Sequence, residues 1–283
     1  VATLGAIAVI FAGRFAVGAL AVLAGYRRPD GGVVSDPQWA MFVQVVPILM
    51  SLLYVYGVVR LFRLRTFGWL SSVEGRIRGG WLALCGALAF GSVLLGDVAA
   101  YFLGRFDGST RRPFYYWLEG LPLGSSYPTV IVGVLTIAAG ALWPYLGWGI
   151  AFQASGYFFR DPRIGFALVA AFTVIVEAIT EPSYSFLDLL LSILSALYGT
   201  WLAWRSGGLE AGMALNAMLL FSGALRQVGA GHLGLVPLDS DGLYVLGRVC
   251  GWLFFVLVVT MLVKVMNVRT TSPSRAEAIS VRG

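Results

Sequence analysis

The 283-residue chain has 58% hydrophobic and only 12% charged side chains, a formal charge of +6 and a mean hydropathy of +0.82. Soluble domains carry about 25% charged residues, so this composition excludes a water-facing surface of ordinary character and fits a chain solvated by lipid. The positive balance does not point to nucleic acid, because no arginine-rich segment is interleaved with aromatics in a soluble setting. Arginines at cytoplasmic helix ends, facing anionic lipid, account for it.

The 36 glycines suit close helix packing, in which small side chains let backbones approach. A crossing takes about 20 apolar residues, and about eight crossings with short loops use nearly the whole chain. The expected fold is an all-α polytopic transmembrane bundle. It forms one domain over residues 1–266, followed by a polar, disordered cytoplasmic tail over 267–283. The apolar N-terminus lacks the basic start of a signal peptide and reads as the first span.

In chain order, span 1 covers Ala2 to Gly25 with Arg14 in its middle, and span 2 covers Trp39 to Val59 before the basic run Arg60 to Phe67. The stretch GWLSSVEGRIRGG reads as an interfacial segment and turn, with Arg76 and Arg78 at its membrane edge. Span 3, Trp81 to Leu103, carries Asp97. The longest internal loop, Gly104 to Ser126, holds Arg105, Arg111, Arg112 and the aromatic cluster Phe114 to Trp117, suited to the headgroup level. Span 4 starts near Tyr127 and is kinked or broken at Pro144. A shorter helix follows it and stops at Asp161-Pro162. Spans 5 to 8 cover Ile164 to Ala178, Phe186 to Trp204, Leu209 to Ala224 and Leu243 to Met266, with a short polar turn at Arg205 to Gly208. With both termini cytoplasmic, inner loops and tail hold twelve basic residues against five outside, the direction that the positive-inside rule requires.

Ionisable side chains in hydrocarbon are costly and mark candidate functional positions. Here they are Arg14, Asp97, Glu177, Asp188, Glu210, Arg226 and Arg248, of which Glu177, Glu210, Arg226 and Arg248 sit near helix ends; an ion pair between the deeper Arg14 and Asp97 would serve as membrane glue. His232 is the sole histidine and lies in an outer loop; no HExxH is present, and Cys85 and Cys250 have no histidine at a metal-ligand spacing. Both cysteines read as small buried hydrophobes. Lys264, the only lysine, ends the last span, so a Ser-Lys dyad finds no partner deeper in the bilayer. Glycine patterns such as GLYVLGRVCG lack the strand-turn-helix context of a nucleotide loop. No cofactor, metal or nucleotide is expected. The expected partners are the lipid bilayer and another membrane protein, for which the arginine- and aromatic-rich third loop is the candidate surface.

The run from Phe186 to Leu220, and within it the block GTWLAWRSGGLEAGMAL, resembles the C-terminal half of the CPBP family of intramembrane proteases, which includes CAAX-prenyl-processing enzymes and bacteriocin-immunity proteins. The closest likeness is to actinobacterial members. The segment SSVEGRIRGGWL, Ser71 to Leu82, is similar to one those members carry before their third span. The resemblance implies three catalytic motifs. In the first, a Glu-Glu pair followed by arginine, the glutamate positions fall on Ser155 and Gly156, while Phe159 and Arg160 are kept. In the second, Phe172 is kept and Val176 takes the histidine position. In the third, Asn216 stands for the histidine, with Leu219 and Leu220 where asparagine is expected.

Activating water in a dry site takes a carboxylate base or a bound metal. Serine, glycine, valine and leucine supply neither, and the neutral amide of Asn216 cannot shuttle a proton. The expectation is therefore a catalytically degenerate, protease-like protein of the cell membrane, acting as an adaptor, immunity-like factor or complex subunit. The alternatives are an unconventional peptidase drawing on Glu177, Glu181, Asp188 or Glu210, and an ion-coupled carrier built on Asp97, Arg14, Asp188 and the break near Pro144.

Overall fold

In the computed structural model, the residues described are 12, 13, 16, 46–51, 53, 54, 56, 57, 60, 72–106, 127–149, 152, 161–180, 186–229, 242–268 and 270. Among them the chain is all-helical, with one isolated backbone bridge and no strand. Helical residues within 46–60 precede α1 (Gly79–Phe106), α2 (Tyr127–Pro144), a π-helical turn (Tyr145–Gly149), α3 (Pro162–Thr180), α4 (Phe186–Ser206), α5 (Glu210–Gly229) and α6 (Gly242–Val265).

Local chemistry sets these boundaries. Pro162 occupies the first position of α3, where its missing N–H costs nothing. Asp161 caps that helix by accepting the Arg163 backbone N–H at 2.9 Å. Pro144 ends α2, and the backbone widens into the π turn beyond it. α4 ends in a Schellman motif: Gly207 adopts φ 63° and the Gly208 N–H donates to the Ala203 carbonyl at 3.2 Å. α6 ends the same way, with Asn267 at φ 49° and the Val268 N–H on the Val263 carbonyl at 3.0 Å.

The α4–α5 hairpin is the centre of the bundle. On one side lies the α1–α6 pair, whose Trp81, Cys85, Ala89, Phe255 and Val259 pack against Leu202, Ala211 and Leu215 of the hairpin. On the other, Ile48, Ala139, Tyr145, Trp148 and Val169 pack against Ala203, Leu209 and Met213. The tightest helix pair is α1–α6. Ser92, Gly96 and Ala100 on α1 face Gly247 and Gly251 on α6, each set at spacings of four. A methyl group on Gly247 would lie 2.6 Å from both the Gly96 carbonyl oxygen and the Ala100 Cβ, and one on Gly251 would strike the Ser92 carbonyl. Small residues spaced by four let two helix backbones touch.

Among the described residues two helical segments, Gly79–Leu103 and Leu246–Val265, are long and apolar enough to cross a membrane, not the about eight expected; Val134–Pro144 and Arg163–Ile175 are apolar but shorter. The two long segments lie on α1 and α6, where spans 3 and 8 were expected. α2 to α5 occupy the expected positions of spans 4 to 7, within a few residues at each end. α5 is broken up by Glu210, Asn216, Ser222, Arg226 and Gln227, which keeps its hydropathy below that of α1 and α6. Spans 1 and 2 and the loops between Gly104 and Ser126 and between Ala230 and Gly242 fall largely outside the described residues, as does nearly all of the tail. Along α6 the side opposite the seam is apolar yet exposed: Leu253, Leu257, Met261 and Val265 follow one another at every fourth residue. Buried hydroxyls are satisfied within their own helices. Ser92, Thr173 and Thr200 donate to the carbonyls of Ala89, Val169 and Ala196 at 2.8, 2.9 and 2.6 Å. Cys85 is buried as expected, whereas Cys250 is exposed because the opposite side of its turn faces the α1 seam.

Candidate functional site

The polar centre of the molecule is the junction of two short connections, residues 72–78 before α1 and 206–210 between α4 and α5. Ser72 and Gly208 form the isolated antiparallel bridge, and the Val73 N–H donates to the Gly207 carbonyl at 2.9 Å. The first connection turns at Gly75, with φ 74° and its N–H on the Ser72 carbonyl at 2.9 Å. Arg78 then reaches Glu210, the first residue of α5. Its Nε donates to Oε1 at 3.0 Å, its Nη2 to Oε2 at 2.8 Å and its backbone N–H to Oε1 at 3.1 Å. The same Nη2 also donates to the Ser206 carbonyl at 2.9 Å. The Glu210 side chain is 0% exposed and that of Arg78 is 9% exposed. A buried carboxylate held by a two-pronged guanidinium and a backbone donor is committed to the junction and fastens the two connections. Glu210, a candidate ionisable position, is therefore half of a clamp, and Arg78, read from the sequence as a membrane-edge marker, is the other half.

A second feature is the packing around Trp148. Its indole lies across Gly199 of α4 and Gly212 of α5, where a methyl group at either position would overlap the ring. Trp148 and Tyr145 are 3% and 1% exposed. Nearby, a methyl on Gly140 of α2 would come within 2.8 Å of the Asn216 carbonyl oxygen, so α2 and α5 touch through their backbones. Asn216, at the histidine position of the third motif, is half-buried one turn after Gly212, and Leu220 is 40% exposed. Phe172 is half-buried on α3, which packs on α4 and the π turn, while α5 packs on α1, α2 and α4. Val176 and Glu177 sit in the last turn of α3 and Asp188 in the first turn of α4, with side chains outside the described set. Arg14, Ser155, Gly156 and Arg160 also lie outside the described residues.

The third feature is a small, mostly apolar cleft between α1 and α5, lined by Phe90, Val93, Leu94, Asp97, Met218, Phe221 and Ser222. Asp97 is half-buried there. Among the described residues, no three His, Cys, Asp or Glu side chains gather in a group able to hold a metal ion.

No family model, curated protein or solved structure matches the chain.

The abundance of glycine points to close helix packing, but the sequence does not place it; the structure places the seam at Gly247 and Gly251, whose spacing of four was its visible signal. The seat of Trp148 had none, since Gly199 and Gly212 belong to different helices.

Proposed function

We propose that this chain is a multi-pass protein of the cytoplasmic membrane, both termini inside, that retains a CPBP protease-like scaffold without hydrolytic groups and serves as an adaptor, immunity-like factor or subunit of a membrane complex. The observation that carries this reading is the use made of the two segments that resemble the family. Ser71 to Leu82 and Gly199 to Leu215 are fastened to each other by the Arg78–Glu210 clamp, while the third-motif position beside them is a neutral asparagine. The apolar exposed side of α6 and the self-satisfied hydroxyls support a lipid surround, because a helix that is apolar all round needs protein or lipid on every side.

Two measurements test the reading together. The purified chain, incubated with prenylated and unprenylated membrane peptides, is expected to show no turnover. Cross-linking in native membranes is expected to trap one stoichiometric membrane-protein partner. Peptide cleavage that disappears in Glu177→Gln or Asp188→Asn would overturn the proposal in favour of a peptidase. A second reading, an ion-coupled carrier, is favoured by the α1–α5 cleft with its carboxylate. It predicts that a cysteine placed at Asp97 reacts with water-soluble thiol reagents from one side of the membrane.

A further inference from the structure

One end of the bundle gathers cations from three helices around one aromatic cluster. Near the end of α4, the Trp201 and Trp204 rings meet edge to face at 5.5 Å, and Phe166 of α3 lies 5.6 Å from Trp204 and 6.4 Å from Trp201. The Trp201 indole N–H donates to the Thr260 hydroxyl of α6 at 3.3 Å. The start of α3, the end of α4 and the end of α6 are therefore side by side.

Each helix brings a basic residue to this cluster. Arg205 lies over the Trp201 ring, its Cζ 5.7 Å from the centroid, and its buried Nε–H has no acceptor among the described residues. Arg163 precedes Phe166 by three residues and Lys264 follows Thr260 by four, spacings that keep each on the face of its helix carrying the contact. Both are exposed, and Trp204 is 36% exposed. The acidic groups described at this end are occupied elsewhere: Asp161 caps α3, Glu74 lies 3.9 Å from Arg76, and Glu210 is held by Arg78.

We infer that Arg163, Arg205 and Lys264, with Trp201 and Trp204 beneath them, form a binding site for the phosphate headgroup of an anionic phospholipid in the cytoplasmic leaflet. The inference rests on the multi-pass reading above. Tryptophans at the end of apolar helices place the cluster at headgroup depth. The half-buried Arg205, held over the Trp201 ring, offers a phosphate a positioned guanidinium, and two flanking exposed cations supply charge. The occupant is a lipid rather than a free anion because the exposed indole of Trp204 gives acyl and glycerol groups a surface that inorganic phosphate would not use.

The test is native mass spectrometry of the full chain released from nanodiscs containing equal amounts of phosphatidylglycerol and phosphatidylcholine. The wild-type chain is expected to retain phosphatidylglycerol preferentially. Arg205→Gln, Arg163→Gln and Lys264→Gln should each reduce that preference by about fivefold, the effect of one cation at an anionic surface. Arg205→Lys should fall between Arg205→Gln and wild type, since it keeps the charge and loses the fork. Arg76→Gln, at the same end but outside the cluster, should leave the preference unchanged. Equal retention of both lipids by an inserted chain overturns the inference and leaves the membrane reading intact. An equal loss with Arg76→Gln overturns it as a site, and displacement of the lipid by equimolar inorganic phosphate overturns the choice of occupant. A chain that stays out of the nanodiscs defeats the membrane reading and the inference with it.

Discussion

α1 is held at its start by charge and along its length by the absence of side chains. At the start, Arg78 and Glu210 form a buried ion pair backed by two further hydrogen bonds. Farther along, Ser92, Gly96 and Ala100 lie directly against Gly247 and Gly251. The two attachments fail differently. An ion pair in a dry setting is costly to half-remove, because the surviving charge loses its partner and cannot reach water. A glycine seam has no such asymmetry: its contacts are dispersion contacts and backbone proximity, and it fails when the helices are pushed apart. On the proposed membrane reading, the comparison shows how a bundle divides the work. The hydrophobic effect does not distinguish a helix neighbour from an acyl chain, so orientation comes from the polar clamp and closeness from the seam.

The largest effect is expected from Glu210→Ala, which leaves Arg78 buried beside apolar neighbours. It should destabilise the chain by about 3–5 kcal/mol, measured by unfolding in mixed detergent micelles. The double substitution Arg78→Met with Glu210→Leu should recover most of that loss, and its failure to do so would show that the clamp matters for more than charge compensation. Next, Gly251→Val, which forces a branched side chain against the Ser92 carbonyl, is expected to cost about 1–3 kcal/mol while leaving the clamp closed.

Thiol labelling separates the two failures. With Cys85 buried and Cys250 exposed, native protein in detergent should bind one N-ethylmaleimide. Glu210→Ala should raise the count to two, since Cys85 packs in the layer that the clamp anchors, and Gly251→Val should not. A smaller effect, about 1 kcal/mol, is expected for Asn267→Ala, because alanine meets a steric penalty in the left-handed conformation that ends α6. Arg76→Gln should change stability by less than about 0.5 kcal/mol, since its side chain is 81% exposed and its contact with Glu74 is long.

Much of this architecture was readable from patterns within single segments. Asp161-Pro162, Pro144 and the Gly207-Gly208 pair each carry a local backbone constraint, and the helix boundaries fall where those residues stand. What escaped the sequence were relations between segments. Arg78 gives no sign that its partner lies 132 residues away. Nor does Gly199 announce that an indole from the π turn will fill the space beside it. Glu210 illustrates the limit most directly. Its type and apolar surroundings place it among the candidates, while its place in the family-like block GGLEAG points to a structural role; the positions of Arg78 and Ser206 show the clamp that the sequence alone does not. For Glu177 and Asp188, whose side chains lie outside the described set, the distinction between a structural and a chemical role rests on the cleavage experiment above.

The separation between the two halves of the clamp also has a consequence in time. Synthesis proceeds at about 5–20 residues per second, so the 132 residues between Arg78 and Glu210 take roughly 7 to 26 s to appear. Throughout that interval α1 exists without the carboxylate that neutralises its first cation, and without α6, whose glycines are made later still. The newly made helix therefore begins its life with a hydrated arginine at its start and an unfilled seam along its side. It settles only when the hairpin made long after it arrives to dock.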